Sequence, residues 1–327
     1  MTNATPSPRT ACLHPLRTVL VGTSLGEESD RVVRAGLAVA RAAGARVALV
    51  HAIPDESRFS ALEIGRGEDF AAEISADARE ALARQVERLG LLTSEIAFTE
   101  VVAGEPHRVL VEAAQRAGAD LIVVGATGAG PLAAELLGST ADRVLRKAAC
   151  PVLLIRGELA VPPRRVLAPV DLSPLAADAY RCGLELLGQI GKGETLEIRA
   201  VHAVSFFDAL ALKRQTQGDL SPEAAAQQRG EELRRFVRDN PGNAPAEVTT
   251  AVLPGEARFE ILRDLSEHPA DLVLLGTHGR GGFDRLMLGS VAATVARKAP
   301  CNVLLVSPEA ALSEGIAEAV VDRTAPV

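Results

Sequence analysis

Two sets of residues in this 327-residue chain have the types and spacing to hold an anion. Gly125, Gly128 and Gly138-Ser139 recur 151 residues later as Gly276, Gly279 and Gly289-Ser290. In each set two residues separate the first glycines and nine separate the second from the third. Glycine lets a ligand come close to the backbone because no Cβ intervenes. Backbone N–H groups of such a loop, with those at the start of a following helix, form a concave donor set for phosphate oxygens. A serine at the helix entrance adds a donor or caps the helix. Glycine after a strand also serves plain turn chemistry, so spacing alone leaves both readings open.

The elements that position these residues are duplicated with them. Ala119-Asp120-Leu121 recurs as Ala270-Asp271-Leu272, Arg146-Lys147-Ala148 as Arg297-Lys298-Ala299, and His51-Ala52 and Gly104-Glu105 as His202-Ala203 and Gly255-Glu256. Only the first strands, near Val19 and Val166, stand closer, 147 residues apart. Each unit of about 145 residues is long enough to bury its own core. Short apolar runs alternate with amphipathic stretches, the pattern of a parallel sheet covered by helices on both faces. The predicted strands are 18–21, 46–50, 97–102, 121–124 and 152–155, then 166–170, 195–201, 247–253, 272–275 and 303–306. Helices are predicted over 28–43, 71–89, 106–117 and 291–298, with a short one over 309–321. The organisation expected is a flexible tail at 1–16, a first domain at 17–157, a linker at 158–164, a second domain at 165–307 and a C-terminal tail at 308–327. Gly157 and Pro162-Pro163 interrupt regular structure at the join. The fifth strand of each half is apolar and closes its unit, so an exposed edge invites pairing of the two halves.

Composition excludes several classes. A 47% hydrophobic, 24% charged chain reads as soluble and globular. The net charge of −7 argues against general affinity for nucleic acid or anionic membranes, so no nucleic-acid or membrane partner is expected. No apolar run reaches the roughly 20 residues that span a bilayer, and residues 1–16 lack a signal peptide's apolar stretch. The cytoplasm is the default location. Cys12, Cys150, Cys182 and Cys301 show neither metal-ligand spacing nor a dense disulfide framework. His51 and His202 read as structural histidines, and His278 as a loop-positioning residue rather than an acid or base.

Gly-x2-Gly-x9-Gly-Ser after a fourth strand, together with Val166-Leu167-Ala168-Pro169-Val170-Asp171-Leu172-Ser173 at a first strand, resembles the universal stress protein family in its tandem form. The resemblance runs from about Arg17 to Ser307. It implies an α/β fold of two doubly wound five-stranded parallel-sheet domains, strand order 3-2-1-4-5, of the adenine nucleotide alpha hydrolase-like type. Many members with this glycine pattern bind ATP, and others that lack it do not. That strand order places strands 1 and 4 side by side at a topological switch point, where α/β proteins bind ligands.

By this resemblance Pro169, Val170 and Asp171 flank adenine and ribose, and Val201 lines the adenine pocket. Gly276 and Gly279 admit the ribose and phosphates, Gly289, Ser290 and Val291 hold the outer phosphates, and His278 and Arg280 belong to the same loop. The ligand implied is ATP, alone or with Mg2+, and no residue is assigned a catalytic role. In the first half Gly125, Gly128, Gly138, Ser139 and Thr140 remain. Gly22-Thr23-Ser24 replaces Pro169-Val170-Asp171, and Ala129 replaces Arg280. Ser24 keeps a hydrogen bond, but a charge-assisted contact is stronger, which predicts a weaker first site. The partners expected are an adenine nucleotide and the other half of the same chain in an intramolecular pseudo-dimer, with a homodimer of whole chains left open.

The function expected is an ATP-binding stress-response or regulatory protein in which occupancy biases conformation or association. The alternatives are a non-binding dimerisation scaffold and a weak ATPase or nucleotidyl-transfer enzyme. The chain has no Gly-x4-Gly-Lys-Ser/Thr loop, which disfavours robust turnover.

Overall fold

The computed structural model describes residues 14–54, 67–127, 137–191, 193–205, 222–278 and 288–307, with only the backbone described for 67–70 and 222–226. The first half runs β1 (Thr18–Gly22), α1 (Glu27–Ala43), β2 (Arg46–Ile53), α2 (Gly67–Arg88), β3 (Ile96–Ala103), α3 (Pro106–Ala117), β4 (Leu121–Gly125), α4 (Ser139–Lys147) and β5 (Val152–Ile155). The second repeats it: β6 (Arg165–Pro169), α5 (Pro174–Gly191), β7 (Leu196–Val204), α6 (Pro222–Asp239), β8 (Ala246–Pro254), α7 (Ala257–Glu267), β9 (Leu272–Gly276), α8 (Ser290–Lys298) and β10 (Asn302–Val306). All ten predicted strands are present. The predicted helix over 309–321 lies outside the described residues.

The strands form one sheet ordered β3-β2-β1-β4-β5-β10-β9-β6-β7-β8, which is the expected 3-2-1-4-5 order twice, joined through the fifth strands. Pairing is parallel within each half and antiparallel at the seam. Leu153 pairs with Leu304, its own counterpart in the repeat, while Val152 and Leu154 pair with Leu305 and Val303. A twofold axis therefore passes through the Leu153–Leu304 pair, perpendicular to the sheet. Such an axis keeps equivalent helices on one face. One core holds Val33 and Leu37 of α1 with Tyr180 and Leu187 of α5. The other holds Leu110 of α3 and Val144 of α4 with Ile261 of α7 and Val295 of α8. The apolar fifth strands are fully buried because each covers the other's edge. The outer edges, β3 and β8, are short of burial along most of their length.

Local sequence explains the element boundaries. Helix α1 opens on Glu27, Glu28 and Asp30, which suit the positive end of the helix dipole, and closes on a left-handed Gly44 at φ 70°. The repeated Gly104-Glu105 and Gly255-Glu256 pairs have a backbone cause. Gly104 sits at φ 148° and Gly255 at φ 135°, and each donates its N–H back to the second strand, to Ile53 O at 2.8 Å and Val204 O at 2.9 Å. That turn, open to glycine at low cost, reverses the chain from the third strand into α3 or α7. Ahead of β1, Leu16 is buried and its N–H donates to Gln189 Oε1 of α5 at 2.6 Å, so this part of the N-terminal segment is docked. The free thiols of Cys150 and Cys301 are pushed up to about 12 and about 11 by burial, which makes both poor nucleophiles.

Candidate functional site

In each half the first and fourth strands lie side by side and their connections leave in opposite directions, opening a crevice at their carboxyl ends. The same backbone frame builds both crevices. The residue after the first strand is tied to the second strand: Thr23 N–H donates to Val50 O at 3.1 Å, and Val170 N–H to Val201 O at 2.9 Å. The two histidines close the frame, His51 Nδ1 lying 2.8 Å from Thr23 O and His202 Nδ1 2.8 Å from Val170 O. A carbonyl only accepts, so Nδ1 carries the proton in each ring. Each ring thus ties the second strand to the residue that follows the first.

The fourth strand is anchored to the fifth. Ala126 N–H donates to Ile155 O at 2.9 Å, and Thr277 N–H to Val306 O at 2.9 Å. The chain then returns after the glycine loop: Gly138 N–H donates to Ala126 O, and Gly289 N–H to Thr277 O, both at 2.8 Å. The N–H groups of Gly138 and Gly289 are thus committed inside the protein. The first intrahelical bonds are Asp142 N–H to Gly138 O and Ala293 N–H to Gly289 O. Neither Gly138 nor Gly289 has a side-chain cap, and Ser139 and Ser290 are the first helical residues rather than caps. The N–H groups of the first turn that follow the glycine therefore have no intrahelical partner and stand at the positive end of the helix.

A Cβ on Gly289 would lie 3.1 Å from Thr277 O, and one on Gly276 would lie 3.2 Å from Ala179 Cβ. Gly289 has an ordinary φ of −56°. Close approach between helix start and strand end, rather than left-handed backbone, is what requires glycine at 289.

Two leucines do adopt the left-handed region: Leu25 at φ 67° and Leu172 at φ 62°, equivalent positions at the mouths of the two crevices. Such a backbone costs about 1–3 kcal/mol. Each lies within a side-chain-to-backbone bond that spans two residues. Thr23 Oγ1 accepts the Leu25 N–H at 3.0 Å, and Asp171 Oδ1 accepts the Ser173 N–H at 3.0 Å. Both leucines pack on the core.

The remaining expected residues fall as follows. Pro169 ends β6, and Val170 and Asp171 follow it at the crevice. Val201 lies inside β7, which runs to Val204, so it does not end the second strand as the sequence reading had it. Its side chain belongs to the core, and its carbonyl shapes the crevice. His278 Nδ1 lies 2.9 Å from Thr277 Oγ1, while its Nε2 is buried without a hydrogen-bond partner. Val291 is half-buried against the core. Gly128, Gly279 and Arg280 lie outside the described residues.

In the first half a cavity of about 620 Å3 occupies the crevice, with Ser24, Val50, Gly125, Gly138, Ser139 and Thr140 on its walls. Two residues on the same walls were missed by the sequence reading. Glu28 of α1 accepts a hydrogen bond from Ser24 Oγ at 3.0 Å, which returns a carboxylate to a site where Ser24 replaces Asp171. Arg31, one turn further along α1, also lines the cavity. Their spacing on the first two turns of the helix after the first strand was the available signal. No group of three or more His, Cys, Asp or Glu among the described residues is arranged to hold a metal ion.

The fold and the two switch-point crevices define a tandem pair of doubly wound α/β domains. The sequence matches the universal stress protein family over residues 15–156 and again over 163–307, and the chain belongs to that family. A universal stress protein of Mycobacterium tuberculosis is 31% identical over 211 residues, 63% of this chain and 68% of the relative. One from Mycolicibacterium smegmatis is 27% identical over 305 residues, 89% of this chain and 97% of the relative. The crystal structure of a universal stress protein from Archaeoglobus fulgidus has the same fold, with a TM-score of 0.61 at 20% identity, over 90% of this chain and 98% of that one. No helix among the described residues is long and apolar enough to cross a membrane.

Proposed function

We propose that the chain binds an adenine nucleotide, ATP in the first instance, in the crevice of each half, and that occupancy biases its conformation or association in a stress-response or regulatory role. The observation that carries this reading is the first-half cavity. Its volume of about 620 Å3 suits a nucleotide, and it joins apolar Val50 and Leu110 to the uncapped start of α4. An aromatic base fits the apolar strand ends, and phosphate oxygens fit the unpaired N–H groups of the helix. The carboxylates of Glu28 and Asp171 suit ribose hydroxyls as donors. In the second half the unpartnered Nε2 of His278 supports a polar ligand at the equivalent place. Gly128, Gly279 and Arg280 take part in this reading through the family's glycine pattern alone.

The test is extraction of freshly purified protein and mass analysis of the released small molecules, followed by titration of ATP into nucleotide-free protein. Adenine nucleotide in the extract and saturable binding are the expected results. A thermal midpoint unmoved by millimolar ATP, with no nucleotide extracted, would count against the reading, because ligand at a hundred times Kd stabilises by about 2.7 kcal/mol.

A further inference from the structure

We propose that Arg31 is the phosphate-discriminating residue of the first crevice, pairing its guanidinium with the anionic end of the ligand from the α1 wall. The inference rests on the nucleotide reading above and adds a determinant that the glycine pattern does not contain. Arg31 lines the cavity, yet its Nε is buried with no hydrogen-bond partner, and no ion pair joins it to any described residue. An arginine is charged at any physiological pH and presents donors in a planar fork that matches phosphate. A guanidinium N–H shut away from water without an acceptor is costly to keep, so the cavity is built to receive one.

The neighbouring carboxylate does not supply it. Glu28, one turn earlier on α1, is engaged by the Ser24 hydroxyl instead. Arg41, further along the same helix, shows the contrast: its Nε donates to Glu95 Oε1 at 2.6 Å.

The second half reverses the charge at this place. The position equivalent to Arg31 is Asp178, and Asp178 is already paired with Arg181, whose other branch donates to Asn240 Oδ1 at 2.7 Å. The equivalent position is therefore cationic and uncommitted in the first half, anionic and committed in the second. With Ser139 and Thr140 at the start of α4 lining the same first-half cavity, an anion there meets Arg31 and the helix N–H groups together. The two sites should rank adenosine, AMP and ATP differently, and the first should depend more steeply on the number of phosphates.

The experiment is photolabelling of the whole chain with 8-azido-ATP, mapped by mass spectrometry so that peptides of the two halves are read separately. Adenosine, AMP, ATP and inorganic tripolyphosphate serve as competitors, with wild type, Arg31→Gln and Arg31→Lys compared after thermal melts confirm folding. Loss of one charge-assisted pair should weaken ATP competition in the first half roughly ten- to hundred-fold in Arg31→Gln. Adenosine competition there and all second-half labelling should stay unchanged, and Arg31→Lys should recover part of the loss. Equal ATP competition in wild type and Arg31→Gln, or a parallel loss for adenosine and ATP, overturns the assignment while leaving the nucleotide reading intact. If adenine ligands compete in neither half, the nucleotide reading falls. Arg31 is then judged by calorimetry with tripolyphosphate, where binding that Arg31→Gln removes supports it and binding equal or absent in both proteins overturns it.

Discussion

Gly289 illustrates how one residue type can serve a ligand and the fold at once. Its N–H donates to Thr277 O, and a Cβ would stand 3.1 Å from that same oxygen. A side chain there requires the strand end to give by a few tenths of an ångström before any ligand is considered. Gly289→Val should therefore lower stability by about 1–3 kcal/mol, measured by urea unfolding without nucleotide. The carboxylates make a second residue-scale prediction. Asp171→Ala should weaken second-half ATP labelling about tenfold or more, the scale of a charged hydrogen bond. Ser24→Ala should weaken the first half less, since Glu28 stays on the cavity wall. A third concerns Asp30, nearly enclosed and bound to Arg88 at 2.7 Å and to Gln85 at 2.8 Å. The Arg88 hydrogen bond is the main cause that holds its carboxyl below the ordinary value, against the opposing effect of burial. A depressed folded value means stabilisation that is present above the unfolded value, roughly 3.9, and lost as pH falls through the folded one. Asp30→Asn should then destabilise at pH 7 and much less near pH 2, read as the difference in thermal midpoint from wild type.

At the scale of elements the seam decides the architecture. Leu153 and Leu304 face each other on the axis and are buried to 4% and 1% exposure. Replacing both with lysine would put two ammonium groups opposite one another in an apolar centre, where like charges repel and neither finds a partner. Leu153→Lys with Leu304→Lys should cost roughly 3 kcal/mol or more, seen as an earlier urea midpoint and protease cleavage between the halves. Unchanged stability would mean that the β5–β10 pairing contributes little to holding the halves together. The same strands also accept the N–H groups of Ala126 and Thr277 that launch the two glycine loops. These bonds extend the β4–β5 and β9–β10 ladders to the start of each loop and fasten each crevice to the seam.

For the whole molecule, antiparallel pairing of two parallel half-sheets has a geometric consequence. The carboxyl ends of β1 and β4 and those of β6 and β9 point to opposite ends of the ten-stranded sheet, so the two crevices open away from each other. Ligands in them cannot share contacts. Native mass spectrometry of the intact chain in ATP should show two nucleotides per chain at saturation. A single nucleotide at every concentration would restrict the proposed function to one half.

The repeat, the alternation of elements and the glycine spacing are local properties, and residues 272–275 or 152–155 announce strands by apolar character alone. Those were legible because burial of a parallel strand on both faces demands uninterrupted apolar residues. Duplication also made the fifth-strand pairing foreseeable, since an apolar edge needs a cover. What the linear chain did not disclose depends on which side chains converge from separate elements. Arg31 and Glu28 read as ordinary charges on a solvated helix face until α1 is laid beside the crevice between β1 and β4. Gly289 read as space for a ligand until α8 was placed against Thr277. His51 and Thr23, 28 residues apart, form one hydrogen-bonded frame only because β1 and β2 are parallel and in register. Periodicity reports what each element must bury, whereas the relative placement of elements sets which polar groups meet.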